Sequence, residues 1–162
     1  MFANLQIVVP EFAIKFYGTD VTSLFIDRQG SIVMNKGSVI GQIDNVFTRS
    51  SVNVFQISKG KELLAIRQSY HKQSSNEDLT FKVTTMISSN GKISFYYENV
   101  PKTTVTKHVR SGISVEIQCG KKGNEKEIEV RVHRKWIRSG TLVEYEALGD
   151  CPKYNSSEAV KM

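Results

Sequence analysis

The chain has little of what marks several protein classes. Among its 162 residues only two are cysteine, Cys119 and Cys151, too few for a disulfide-stapled scaffold. One bridge between them, two buried thiols, or a Cys151 paired beyond this chain are all compatible with the sequence. No apolar run approaches the roughly 20 residues that a membrane-spanning helix needs; the longest, Leu5–Pro10, is broken by Gln6. Met1-Phe2-Ala3-Asn4 lacks the charged start of a secretory leader. The chain is therefore expected either to be intracellular or to lack its true start.

The chemical motifs are equally sparse. There is no Gly-x-Ser-x-Gly, no His-Glu-x-x-His and no Gly-Lys-Ser/Thr phosphate loop. His71, His108 and His133 stand apart, without metal-ligand spacing. Glu77 and Asp78 carry the oxygens a calcium ion takes, but in a Ser/Asn-rich stretch that reads as a solvated loop. No catalytic residue, metal ligand or cofactor is assigned, and the expectation is a protein that is not an enzyme.

What the sequence does have is period two. Leu79, Phe81, Val83, Thr85 and Ile87 alternate with more polar residues; after Ser89-Asn90-Gly91-Lys92, Ile93, Phe95 and Tyr97 alternate again. Asn-Gly between alternating strands predicts a hairpin with a type I′ turn, in which both central residues take positive φ. Pro101 ends the segment, because it cannot donate to a ladder. Further strands are read at Val21–Asp27, Ser31–Met34, Val52–Ile57, Glu62–Arg67, Ile113–Gln118, Ile128–Val132 and Thr141–Glu146, separated by glycine-bearing turns. About nine short strands with hairpin turns and no sustained helical stripe predict an all-β fold, an antiparallel β-sandwich. Residues 1–150 read as one domain and 151–162 as a polar, loosely ordered tail.

Charge is unevenly placed. Between Lys102 and Arg138 stand ten Lys or Arg and four Glu, which accounts for the whole net charge of +6. One candidate reading is an ordinary solvated face, since Glu125, Glu127 and Glu129 are interleaved. The other is a polyanion site for a sulphated glycan, built from Arg131, His133, Lys135 and Arg138, with Arg131, His133 and Lys135 on one face of a strand and Lys121 and Lys122 extending it from the turn. Gly120-Lys121-Lys122-Gly123 also has the form of the KH RNA-binding loop, but that loop needs helical flanks, and these flanks alternate as strands. Nucleic acid is accordingly the weaker partner. Asn155-Ser156-Ser157 is an N-glycosylation acceptor pattern, informative only for a secreted chain.

Several segments in order resemble the nidogen-like extracellular domain of plexin-domain-containing proteins, a domain also found in secreted egg proteins of parasitic flatworms. They are Phe16-Tyr17-Gly18, Gly30-Ser31-Ile32-Val33-Met34, Leu79-Thr80-Phe81, Asn90 to Tyr97, Val100-Pro101, Val109 to Ser114, Val143-Glu144-Tyr145 and Cys151. The match runs from about residue 12 to 151. It implies a secreted or cell-surface location, binding to another protein or a matrix component, and no enzymatic activity. In the family, the cysteine matching Cys151 introduces a disulfide-rich plexin–semaphorin–integrin (PSI) module, so 151–162 would be the start of a truncated one. Cys119 matches nothing in the pattern, which leaves a Cys119–Cys151 bridge open.

Overall fold

The computed structural model describes residues 6–37, 39–74, 77–101, 108–119, 124–147 and 160–161. Among them are fourteen strands: β1 (Gln6–Val8), β2 (Ile14–Phe16), β3 (Thr19–Val21), β4 (Leu24–Ile26), β5 (Ile32–Lys36), β6 (Val39–Phe47), β7 (Val52–Lys59), β8 (Leu63–Ser74), β9 (Glu77–Ser88), β10 (Ile93–Asn99), β11 (Val109–Cys119), β12 (Asn124–Arg131), β13 (Leu142–Tyr145) and β14 (Val160–Lys161). All ladders are antiparallel. They form one six-stranded sheet, β1-β4-β5-β6-β11-β12, a second, β14-β13-β10-β9-β8-β7, and the ribbon β2-β3. The expected antiparallel β-sandwich is the fold. No helix among the described residues is long and apolar enough to cross a membrane.

Alternation decides which face each strand buries. Phe81, Val83, Thr85 and Ile87 of β9 are fully buried, as are Ile93, Phe95 and Tyr97 of β10; their neighbours point outward. From the first sheet, Ile32, Met34, Ile43, Phe47, Val115 and Ile117 meet them. Aromatic rings fill the middle: Tyr70 stacks on Phe81 at 5.8 Å, Phe81 lies 6.3 Å from Phe47, and Phe95 lies 5.1 Å from Tyr145.

A buried polar network crosses this core. Asn45 Nδ2 donates to Thr85 Oγ1 (3.1 Å), Ser111 Oγ donates to Asn45 Oδ1 (2.5 Å), and the Tyr97 hydroxyl shares a hydrogen with Ser111 Oγ (2.5 Å). The Tyr70 hydroxyl donates to the backbone oxygen of Asn45, and Gln68 Nε2 to that of Gly30 (2.7 Å). The first four of these bonds join one sheet to the other or two strands within a sheet, and the last ties β8 to the turn between β4 and β5; they fix register where apolar packing alone is tolerant.

Several details depart from the expectations. The Asn90-Gly91 loop is a three-residue connection: Gly91 N–H donates to Ser88 O (3.0 Å), Ser88 N–H donates to Lys92 O (3.0 Å), and only Gly91, at φ +89°, is left-handed. This is a type I turn closed by a glycine bulge, stabilised by Asn90 Oδ1, which accepts from Lys92 N–H and the Ser88 hydroxyl. Arg28-Gln29-Gly30 repeats the design, with Asp27 Oδ1 taking the N–H groups of Gln29 and Ser31. The two-residue loop with both φ positive is instead Tyr17-Gly18. The strand expected at Val21–Asp27 breaks at Thr22-Ser23 into β3 and β4. Glu77 and Asp78 are paired in β9, opposite Ser74 and Gln73, rather than in a loop.

Candidate functional site

The basic segment is organised by where β12 stops. Ile128, Val130 and Val132 face the core, and Glu127, Glu129 and Arg131 face solvent. Strict alternation would next bury Arg134, at the cost of desolvating a guanidinium without a partner. The chain turns instead. Val132 N–H still donates to Ser111 O (2.9 Å). His133 then caps a short 3-10 turn, Arg134–Trp136: its Nδ1 accepts from Lys135 N–H (3.2 Å), and its carbonyl accepts from Trp136 N–H (2.9 Å). Buried Ile137 and half-buried Trp136 anchor the far side to the core.

The expectation that Arg131, His133 and Lys135 share a strand face is thereby corrected. Arg131 ends the strand, His133 is the cap, and Lys135 lies in the turn. The result still gathers them. Arg131, His133, Arg134, Lys135 and Arg138 are all exposed around one turn, and residues 131–138 contain no acid. Arg131 is bound to Glu129 at 2.6 Å. Among the described residues, no acid pairs with Arg134, Lys135 or Arg138. Lys135 Nζ sits 5.8 Å from the centre of the Trp136 ring, and the His133 ring lies 6.0 Å from it. Arg134 and Trp136 were not singled out from the sequence. The signal for them is the broken alternation at Arg134, a charged residue where an apolar one is due.

The strand itself is no extension of this patch. Glu127 and Glu129 occupy its outer face, and Glu116 of β11 stands directly opposite Glu127. The neighbouring depression is self-neutralised: Asp44 accepts from Ser31 and Gln42 and lies 3.4 Å from Arg110. Lys121, Lys122, Cys151 and Asn155 lie outside the described residues, as does the side chain of Cys119, so the bridge and the glycosylation acceptor are not placed. β11 and β12 do pair up to Cys119 opposite Asn124, which puts strands, not helices, on both sides of Gly120–Gly123.

On the outer face of the second sheet, Glu98 accepts from Arg67 Nε (2.9 Å) and Thr84 Oγ1 (2.7 Å). Partial burial opposes its ionisation, but these two bonds outweigh that and hold its carboxyl below the usual range. An apolar cleft between the sheets is lined by Phe16, Tyr17, Ile93, Ile113, Val130 and Tyr145. Among the described residues, no three of His, Cys, Asp and Glu gather as a metal site. Comparison with protein-family models, with curated proteins and with solved structures found no match.

Proposed function

We propose that this chain is a non-catalytic interaction module of a secreted or cell-surface protein, and that it engages a sulphated glycan of the matrix through the turn Arg131–Arg138. One observation carries the reading: Arg134, Lys135 and Arg138 are exposed together, unpaired by acids among the described residues, on a turn anchored by buried Val132 and Ile137. A strongly sulphated chain presents closely spaced anions, and a rigid cluster of cations meets it with little ordering cost. Arg is the better of the two basic residues for planar oxyanions because its fork donates in pairs. The order of motifs between residues 12 and 151 supports the extracellular location.

Heparin chromatography tests this. The protein should be retained well above about 0.15 M salt, the physiological ionic strength. The variant Arg134→Ser/Lys135→Ser/Arg138→Ser should elute near the void with an unchanged thermal unfolding curve. Elution of the wild-type chain in the flow-through overturns the proposal.

A further inference from the structure

A sheet edge is a row of unpaired backbone groups, and stable proteins blunt it by shortness, charge, proline, a bulge or a cover. The two sheets have four outer strands. β1 and β14 are three and two residues long. β12 carries exposed Glu127, Glu129 and Arg131 along one side. β7 has eight residues, Val52–Lys59, no proline, and no charge before Lys59. Its bulge lies between Val52 and Val54, at one end, where Val52 N–H also reaches Arg28 O at 3.4 Å. From Val54 to Ser58 it pairs with β8 alone among the described residues.

We infer that β7 is the interface for a second copy of this chain, added antiparallel about a two-fold axis at Gln56. The strand is complementary to itself in that register. On the core side, Phe55 falls opposite Ile57 in both directions, an aromatic–β-branched pair of the kind that stabilises sheets. Both residues already pack on the core and are only half-buried, so the second copy covers apolar surface that the edge leaves open. On the outer side, exposed Val54 falls opposite Ser58, and Gln56 faces Gln56. No like charges meet, because Lys59 stands opposite position 53. The interface is isologous and closes at two copies. It joins the two second sheets into one twelve-stranded sheet and leaves the basic turn uninvolved, so it stands independently of the glycan reading.

Sedimentation equilibrium of the full chain tests it. The wild type should be a concentration-dependent dimer. Gln56→Lys and Gln56→Glu each place like charges at the axis, and each variant alone should be monomeric with an unchanged circular dichroism spectrum. An equimolar mixture sets the two opposite charges against each other and should recover at least half of the wild-type dimer fraction. A wild type that stays monomeric at millimolar concentration overturns the inference. So does a dimer indifferent to either substitution, or a mixture that stays monomeric.

Discussion

Asn45 on β6 donates its side-chain amide to the Thr85 hydroxyl on β9, at 3.1 Å, across the interior of the sandwich. Both residues are fully buried. The same amide's oxygen takes the Ser111 hydroxyl, which in turn meets the Tyr97 hydroxyl. One asparagine thus satisfies the centre of both sheets.

Removal of that asparagine should cost more than removal of any one partner. Asn45→Ala leaves the Thr85 and Ser111 hydroxyls short of a bond and opens a gap, at about 3 kcal/mol. Thr85→Val keeps the shape and strands only one amide hydrogen, at about 1 kcal/mol. Urea unfolding measures both. Equal losses would mean that the network contributes nothing as a unit.

The glycines at the turns divide by their surroundings. Gly91 has φ +89°, and a Cβ there would meet the carbonyl oxygen of Lys15 at 1.8 Å. Gly140 has φ +88° with open space around it. Gly140→Ala should therefore cost only the backbone strain, about 1–2 kcal/mol. Gly91→Ala must also displace β2 from the hairpin, and its loss should be clearly the larger of the two on thermal unfolding.

Alkaline pH should unfold the protein through its buried tyrosines. Burial pushes the hydroxyls of Tyr70, Tyr97 and Tyr145 well above their ordinary 10.0, and for Tyr70 the carboxylates of Asp27 and Asp44 add to it. The raised value means that the folded chain keeps protons the unfolded chain gives up. Their stabilisation is full below pH 10 and declines as pH rises beyond it. Three such groups give a slope of up to about 4 kcal/mol per pH unit. Absorbance at the tyrosinate band should show these three silent until the chain unfolds.

Much of the fold was readable because its strands alternate. β9 and β10 show every second residue apolar, and the structure buries that set. β6 escaped because Gly41 and Asn45 occupy inward positions that alternation reserves for apolar side chains; Gly41 is small because Phe16 lies against it, and Asn45 is polar because the network needs it. The turn type at Asn90-Gly91 was misread because the dipeptide suits a two-residue loop equally well, and loop length is set by the pairing of Ile87 with Ile93. The basic site was half legible: Arg131, His133, Lys135 and Arg138 were visible as charge, but their common placement depends on a turn that the pattern marks only by Arg134.

Trp136 is the chain's single tryptophan and lies inside the proposed site, so its fluorescence reports that turn alone. The central claim is tested most directly by titrating heparin against this signal at several salt concentrations. A saturable change is expected, with an affinity that falls on the order of 30-fold between about 0.05 and 0.2 M salt, as for three or four released counterions, and it should be lost in Arg134→Ser/Lys135→Ser/Arg138→Ser. A signal unaltered by heparin, or a change that is insensitive to salt, would contradict it.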